Sequence, residues 1–158
     1  MFKHQFVCVS AKGELWYEFK NHRWHECRQG LSLKQLLGND VLNEYLKMVT
    51  FQNMAAINCT DDGEKGISLQ RAKALTEISY KVRDIGVKEK IMRECVMFFR
   101  NDKFMSQLDR NQYLIGFENG VYDLEMDMFR DGRPEDCISL STGIDYPDIE
   151  FDPEDELI

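Results

Sequence analysis

The spacing of apolar residues changes along the chain, and this change limits the possible folds. Over residues 5–27, and again after Asn111, apolar residues alternate with polar ones, which is typical of half-buried strands. Between these stretches the apolar residues recur every three or four positions, which is typical of one face of a helix. Strands at both ends with helices between them predict an α+β protein.

Residues 1–30 are predicted to form a small antiparallel meander, and residues 31–158 are predicted to form a second domain. The segments FVCVS, ELWYEF and RWHEC are rich in aromatic and bulky residues, and short turns separate them. Trp16 and Trp24 are expected to pair across a hairpin or to pack on one face of the core.

Short helices with their own caps are predicted after the meander. Ser32 and Gln35 have the spacing of a capping box, which favours a short helix that ends near Gly38. Asn39 or Asp40 is expected to cap the next helix.

A loop and two further helices are predicted in the middle of the chain. The segment at residues 50–66 is polar and rich in turn formers, so it is expected to form a loop. Ser68 is expected to cap a third helix that ends at Gly86, and a fourth helix is expected from about residue 88 to 100.

Strands joined by a tight turn are predicted in the last third of the chain. The segments YLIGF and VYDLE flank the pair Asn119-Gly120, which favours a hairpin turn with positive φ. Phe117, Val121 and Leu124 are expected to be buried, and a third strand follows after a short turn.

Acidic residues are concentrated near the C-terminal end. The net charge is −8, and residues 117–158 hold 14 Asp and Glu against two Arg, whereas the other 116 residues are weakly basic. Because nucleic-acid-binding domains usually present a basic field, only the first 116 residues match that expectation. The acidic end is interpreted as a solvated surface or the start of a linker.

Five cysteines, an odd number without a Cys-x-x-Cys pair, favour reduced thiols over a disulfide framework. No apolar run approaches the roughly 20 residues that a membrane helix requires. Charged residues interrupt the apolar N-terminal segment, so no signal peptide is expected. A cytosolic location without a membrane partner is therefore predicted.

Motifs of common active sites are absent from the sequence. There is no G-x-x-x-x-G-K-[ST] phosphate-binding loop, and neither G-x-S-x-G nor H-E-x-x-H occurs. An NTPase or hydrolase site contained within these 158 residues is therefore not expected, and no catalytic residue is assigned.

Two groups of residues are considered as metal sites. His22, His25 and Cys27 lie close in sequence, but their spacing matches no standard zinc finger, and surface histidines beside a buried thiol are the simpler interpretation. The alternating carboxylates within residues 123–127 have the arrangement that could hold Mg²⁺ on one strand face. A solvated strand face gives the same pattern, so no metal site is assigned.

The N-terminal meander also contains a candidate nucleic-acid-binding surface. Lys20, Arg23, Trp24 and Arg28 combine cations with an aromatic ring, and a sheet of this kind can stack bases and hold phosphates of single-stranded DNA. The competing interpretation, in which the tryptophans form the core of the meander, is favoured.

A long segment near the C-terminal end resembles a known family. It contains F-x-N-G-V-Y-D-L (Phe117–Leu124), F-R-x-G-R-P-E-D (Phe129–Asp136) and I-S-x-S-T-G (Ile138–Gly143) in this order. Together with LWYEFKNHRWHEC (Leu15–Cys27), these motifs resemble the domain that precedes the superfamily 3 helicase motor in poxvirus-type helicase–primases. Those proteins belong to nucleocytoplasmic large DNA viruses and have phage and plasmid relatives. Cys137 stands where tyrosine is usual.

The resemblance implies a place in a larger machine. It implies a primase region before this domain and, after it, a hexameric motor that unwinds DNA with ATP and Mg²⁺. It implies no cofactor in this chain itself, and a viral replication site in the host-cell cytoplasm. The motif residues that are expected to be architectural are Phe117, Asn119, Gly120, Tyr122, Asp123, Arg130, Arg133, Glu135 and Asp136.

Three functions remain open at this level. The chain is predicted to be a collar or linker module that supports assembly and DNA positioning, with Arg130 and Arg133 paired to Glu135 and Asp136. The alternatives are a single-stranded-DNA-binding module and a metal-dependent fragment of the primase. The chain alone is not expected to be an enzyme, whereas the parent protein is expected to be an ATP-dependent helicase.

Overall fold

The computed structural model describes residues 2–147. The α+β class is confirmed, because two three-stranded sheets, with the strand orders β1-β2-β3 and β4-β5-β6, accompany the helices. In chain order the elements are β1 (Phe6–Cys8), β2 (Leu15–Lys20), β3 (Arg23–Arg28), α1 (Leu31–Leu36), α2 (Leu42–Asn58), α3 (Asp62–Arg83), α4 (Ile85–Phe99), α5 (Phe104–Gln107), β4 (Leu114–Phe117), β5 (Gly120–Asp123) and β6 (Met128–Arg130). None of the helices within residues 2–147 has the length and apolar character that crossing a membrane requires.

The chain forms two compact units, and each is described by itself. Within the described residues, the first unit comprises residues 2–5, 18–26 and 102–147, and the second comprises residues 6–17 and 27–101. The predicted domain boundary at residue 30 stays a prediction.

The core of the second unit contains Trp16 of β2. Its buried ring lies 6.0 Å from the ring of Phe99 on α4, and the ring of Phe6 lies 6.4 Å from that of Phe99. Gly30 has a φ of 59°, and a Cβ at this position would meet Met92 and Trp16 at 2.8 and 3.2 Å. Trp16 is therefore a core residue, as one of the two expectations for it proposed.

Helix α1 begins at Leu31 without the predicted capping box. Gly30 adopts a left-handed conformation at the start of the helix, and no side chain caps it. The hydroxyl of Ser32 lies instead 3.1 Å from the thiol of Cys27. The capping-box prediction with Gln35 was wrong because the left-handed glycine already turns the chain into the helix.

Helix α1 also does not end near Gly38. A π-helical turn (Leu37–Val41) joins α1 to α2 without interruption. Asn39 and Asp40 lie inside this turn, so the prediction that one of them caps a separate helix was wrong. A π turn keeps the backbone hydrogen-bonded, which removes the need for a cap.

Most of residues 50–66 is helical, so the loop predicted there was wrong. Helix α2 continues to Asn58 because its inward side continues through Val49, Gln52 and Ala56, which are less exposed than their neighbours. Most of the polar residues that suggested a loop lie at exposed positions of α2, in the short turn after it, or in the first turn of α3.

Helix α3 begins at an aspartate cap. The side chain of Asp61 accepts the backbone N–H of Glu64 at 2.8 Å. Aspartate is a favoured residue at this position, since its carboxylate binds an N–H group that has no partner within the helix. The predicted cap Ser68 lies inside α3, so that prediction was wrong.

A second aspartate cap separates α3 from α4. The side chain of Asp84 accepts the backbone N–H of Val87 at 2.9 Å, so that α4 begins at Ile85. Gly86 therefore lies in the first turn of α4 and does not end α3, contrary to the prediction. The fourth helix was predicted correctly but begins three residues earlier than expected.

Candidate functional site

The turn of the motif hairpin is tighter than the sequence suggested. Phe117 pairs with Gly120, so Glu118 and Asn119 are the two turn residues. Neither Asn119 nor Gly120 has a positive φ, so that prediction was wrong. Gly120 is required for another reason, because a Cβ there would lie 2.5 Å from the ring of Phe129. The glycine allows β6 to approach β5 closely.

Four rings form an aromatic cluster (Phe117, Tyr122, Phe129 and Tyr146). The ring of Tyr146 stacks on that of Phe129 with centroids 4.5 Å apart and an interplanar angle of 11°, and on that of Tyr122 at 5.3 Å. The ring of Phe117 meets Tyr146 edge-on at 5.1 Å. These geometries are the favourable stacked and edge arrangements of aromatic pairs.

Asn119 fastens Tyr146 beside the hairpin. Its Nδ2 donates to the carbonyl oxygen of Tyr146 at 3.1 Å, and its Oδ1 accepts the backbone N–H of Tyr146 at 2.8 Å. The motif asparagine therefore acts through its side-chain amide and not through a special turn conformation. The two bonds align the segment around Tyr146 with the aromatic cluster.

Arg130 lies at the centre of a charged network. Its Nη1 and Nη2 atoms donate to Asp136 at 2.8 and 2.9 Å, and Nη2 also donates to Asp123 at 3.1 Å. The Arg130 side chain is only 16% exposed. The hydrogen bond from Arg130 to Asp136 raises the pKa of the guanidinium. Bidentate bonds of this type are strong and fix the orientation of both partners.

The two carboxylates of this network also hold backbone groups. Asp123 accepts the N–H groups of Glu125 and Met126, and the bond from Met126 is the largest factor that lowers the pKa of Asp123. Asp136 accepts the N–H of Arg133 at 2.7 Å. The expected ion pair between Arg130 and Asp136 is thus present.

The predicted burial of apolar residues in the hairpin is confirmed only in part. Val121 is buried as expected, and Phe117 is half-buried within the aromatic cluster. Leu124 is 48% exposed, so its predicted burial was wrong, because it follows the last residue of β5. Arg133 and Glu135 are exposed.

Tyr122 forms a separate contact with the turn between β5 and β6. Its hydroxyl donates to Asp127 at 2.5 Å, and this bond raises the pKa of Tyr122 to about 12. Of the alternating carboxylates, Asp123 and Asp127 are therefore engaged by protein groups. Within residues 2–147 no group of three or more His, Cys, Asp or Glu side chains is arranged to hold a metal ion.

The histidines considered as zinc ligands contact backbone atoms. His22 Nδ1 accepts the N–H of Gly132 at 3.2 Å, and Nε2 of His25 lies 3.2 Å from the carbonyl oxygen of Lys20. Burial and the nearby Arg23 guanidinium lower the pKa of His25.

Trp24 is a core residue of the first unit. Its ring lies 5.0 Å from that of Phe104 and 5.4 Å from that of Phe19. The indole N–H donates to the carbonyl oxygen of Pro134 at 2.9 Å, and the backbone N–H donates to Ile138. This placement agrees with the favoured interpretation of the tryptophans, since a buried ring offers no face on which a base can stack.

Arg23 links the N-terminal segment to the hairpin turn. Its Nη2 donates to Glu118 at 2.9 Å, and the hydroxyl of Ser141 donates to the same carboxylate at 2.8 Å. These bonds lower the pKa of Glu118, with that from Arg23 contributing most. Lys20 pairs with Glu18 at 3.3 Å, and Arg28 is exposed. DNA binding by these residues stays a prediction.

Asp109 holds the segment around Ser139 through hydrogen bonds, and the sequence analysis did not predict this role. Its carboxylate accepts the N–H of Ser139 at 2.6 Å, the hydroxyl of Ser139 at 2.5 Å and the N–H of Leu140 at 3.2 Å. The signal available in the sequence was the pair of serines, Ser139 and Ser141, in the I-S-x-S-T-G motif. Both hydroxyls donate to carboxylates from other segments.

The side chains described above belong to the sequence segments for which a resemblance to a family of viral proteins was noted, and a family comparison agrees. The family model described as "D5 N terminal like" matches residues 1–156, and this chain belongs to that family. The resemblance to the domain that precedes the motor in poxvirus-type helicase–primases is thereby confirmed.

Relatives among viral proteins agree with this assignment. The chain is 38% identical over 158 residues to "Putative helicase L207/L206" of Acanthamoeba polyphaga mimivirus, covering 98% of this chain and 16% of that protein. It is 28% identical over 172 aligned positions to "Putative helicase 022R" of Frog virus 3 (isolate Goorha), covering 90% of this chain and 18% of that protein. The chain thus spans about a sixth of the length of these relatives.

Proposed function

We propose that this chain is a collar or linker domain of a viral replicative DNA helicase–primase, which supports assembly and positions DNA for a motor elsewhere in the parent protein. The observation that carries the proposal is that the polar side chains of the motif bond to other groups of the first unit. Asn119, Asp123, Arg130 and Asp136 all have partners within the first unit. Their chemistry is used to build a rigid body and not to present a reactive group.

A rigid body suits the proposed role. The Arg130 network ties β5 and β6 to the turn at Pro134–Asp136, and Asp109 and Glu118 hold the segment around Ser139 and Ser141. Segments far apart in sequence are therefore fixed relative to one another within the first unit. Such a body can keep a constant geometry while a motor changes shape with each cycle of ATP hydrolysis.

ATP and Mg²⁺ belong to the motor in this proposal. The sequence lacks a phosphate-binding loop, and the described carboxylates Asp123, Asp136 and Asp109 bind protein groups. DNA and the other subunits of a hexamer are proposed as partners of the parent assembly.

A deletion in the full-length parent protein tests the proposal. Removing residues 1–147 is expected to impair oligomer assembly and duplex unwinding while the motor retains ATP binding. The purified chain itself is expected to hydrolyse no ATP. ATP hydrolysis that copurifies with the chain, or full unwinding by the deleted protein, contradicts the proposal.

A variant distinguishes architecture from direct DNA contact. Arg23→Ala removes the bond to Glu118, so an architectural role predicts lower stability of this domain with the salt dependence of DNA binding unchanged. A phosphate contact predicts weaker binding and a salt slope reduced by about one charge. Lys65→Ala, at an exposed cation of the second unit, serves as the control.

A further inference from the structure

A cavity of about 290 Å³ lies within the second unit, where the turn after β1, the start of α1 and one face of α4 meet. Its volume is near the lower end of the roughly 300–1,000 Å³ that small-molecule sites occupy. All of its lining residues belong to the second unit, and none of them is a motif residue. The chemistry of this cavity is therefore separate from that of the hairpin.

Apolar and cationic side chains both line the cavity. The side chains of Trp16 and Met92 are buried and form its apolar part. Lys12, Lys34 and Arg93 bring three cations to it, from the turn after β1, from α1 and from α4. Cations that come from separate segments and converge on one concavity favour an anionic ligand.

Two carboxylates line the same cavity. Glu14 and Glu89 reduce the charge of the lining from +3 to +1, and Glu89 pairs with Lys34. The side chains of Lys12 and Arg93 are at exposed positions, so a ligand can reach them. A lining with both cations and carboxylates suits a ligand that has both an anionic group and hydroxyl groups, since a carboxylate accepts hydrogen bonds and donates none.

Hydrogen bonds fix the backbone of the turn after β1. The hydroxyl of Ser10 accepts the N–H of Glu14 at 2.8 Å, and the N–H of Gly13 donates to the carbonyl oxygen of Ser10 at 3.0 Å. A Cβ at Gly13 would lie 2.6 Å from Cγ2 of Val96, so the glycine allows this turn to approach α4 closely. This side of the cavity is therefore preformed, as small-molecule sites usually are.

We propose that this cavity binds a small phosphorylated sugar, alone or as part of a nucleotide. The phosphate group lies among Lys12, Lys34 and Arg93, because a phosphate monoester carries almost two negative charges at neutral pH and is stabilised most where cations converge. The guanidinium of Arg93 can bind two phosphate oxygens at once. The sugar hydroxyl groups donate to the carboxylates of Glu14 and Glu89.

A strand of DNA fits this cavity less well. The sugars within a DNA strand have no free hydroxyl group for the two carboxylates, and those carboxylates repel the neighbouring phosphates of the strand. Because the cations at the rim are exposed, salt screens them and the affinity is modest. This inference does not rest on the proposed function, because it concerns a cavity of the second unit alone.

Proton–nitrogen correlation NMR of the purified, nitrogen-labelled chain tests the inference. The indole N–H of Trp16 donates to the carbonyl oxygen of Gly13 at 2.8 Å beside the cavity, whereas the indole N–H of Trp24 lies in the first unit. Titration with ribose 5-phosphate or with AMP is expected to shift the indole signal of Trp16 and to leave that of Trp24 in place. Ribose at the same concentration is expected to shift neither signal, because it lacks the phosphate.

Variants of the cationic side chains assign the binding to the cavity. Arg93→Gln is expected to raise the Kd for AMP by about tenfold, since it removes the bidentate phosphate contact. Arg71→Gln is the matched control, because Arg71 is an exposed arginine on α3 that does not line the cavity. Lys12→Gln is a second, independent variant and is expected to raise the Kd less than Arg93→Gln does. Far-UV circular dichroism and the Tm of each variant show that it is folded.

Several outcomes overturn the inference. An indole signal of Trp16 that stays in place at millimolar AMP and ribose 5-phosphate excludes the site, and equal shifts with ribose and ribose 5-phosphate exclude a phosphate contact. Equal Kd values for Arg93→Gln and Arg71→Gln assign the binding to another surface. A Trp16 shift that oligothymidylate produces and AMP does not assigns the cavity to a nucleic-acid strand. Tighter binding of AMP than of ribose 5-phosphate supports a nucleotide as the ligand, and equal binding supports the sugar phosphate alone.

Discussion

The motif region of the first unit and the helices of the second unit use their side chains in opposite ways. Around the hairpin, polar side chains such as Asn119, Arg130 and Asp136 bond inward to other parts of the same unit. On α2, apolar side chains such as Phe51 and Ile57 face outward. The stability of the first region is therefore expected to depend on specific polar bonds, whereas the exposed apolar side chains of α2 are expected to contribute little to the stability of the monomer.

This difference separates the residues that identify the family from the exposed apolar residues of α2. The motif that resembles the helicase–primase family consists largely of residues that hold the hairpin together. Substitutions in the motif are therefore expected to lower the free energy of unfolding. Substitutions of exposed apolar side chains on α2, such as Phe51, are expected to leave that free energy almost unchanged, because exposed side chains contribute little to the stability of the monomer.

Loss of the Arg130 guanidinium is expected to have the largest effect. Arg130→Ala leaves Asp123 and Asp136 as poorly solvated carboxylates without their cation, which is expected to cost about 3 kcal/mol of unfolding free energy in urea denaturation. Arg110→Ala, at an exposed arginine of the same unit, is the control and is expected to change stability by less than about 0.5 kcal/mol. Equal effects of the two substitutions would show that the network does not stabilise the fold.

Glycine-to-alanine substitutions should change the stability of the chain in opposite directions in the two regions. Gly120→Ala places a Cβ 2.7 Å from the Arg130 carbonyl oxygen and is expected to cost about 1–3 kcal/mol. Gly66→Ala, in α3, meets nothing within 4 Å and is expected to stabilise the chain by about 0.5–1 kcal/mol. Thermal unfolding of both variants measures the contrast, and a stable Gly120→Ala protein would rule out the close approach of β6.

The sequence allowed the strands and the fold class to be predicted because alternation is a local pattern. The hairpin at Phe117–Leu124 was found this way, whereas burial of Trp24 was favoured because large aromatic residues usually belong to the core of a small sheet. The helix boundaries were harder to predict, because several residues in each region can serve as caps. Ser32 and Ser68 have the residue type of a cap, but Gly30 and Asp61 are the residues that precede the helices.

The internal bonds of the candidate site could be predicted only in part. The pairing of Arg130 with Asp136 could be predicted, since the two residues are close in sequence. The contacts of Asp109 with Ser139 and of Arg23 with Glu118 join residues 30 and 95 positions apart. A single sequence contains no local signal for such pairs. Only the folded chain reveals that the hydroxyls of the motif serines donate to carboxylates of distant segments.

Removal of the Asn119 amide is expected to have a smaller effect than loss of the Arg130 guanidinium. Asn119→Ala loses two hydrogen bonds to Tyr146 at an exposed site, which is expected to cost about 1 kcal/mol. Because Tyr146 stacks on Phe129 and Tyr122, the near-UV circular dichroism of the aromatic cluster should also weaken. Asn43→Ala, at an exposed position of α2, should leave that signal unchanged. An intact near-UV signal in Asn119→Ala would show that stacking alone holds Tyr146.

The smallest expected effect is a pH dependence that arises at Glu118. Its folded-state pKa is lowered from the ordinary value of 4.5, chiefly by the bond from Arg23. A lowered folded-state pKa means that the stabilisation is fully present well above 4.5 and is lost as the pH falls through the folded-state pKa. Glu118→Gln should therefore have a Tm that declines less than that of the parent chain upon acidification from neutral pH. Glu125→Gln, at an exposed carboxyl of the same unit, is the control. If the two variants have the same acid dependence, the link between Arg23 and Glu118 does not contribute to the stability of the first unit, and its rigidity comes from the Arg130 network and the aromatic cluster.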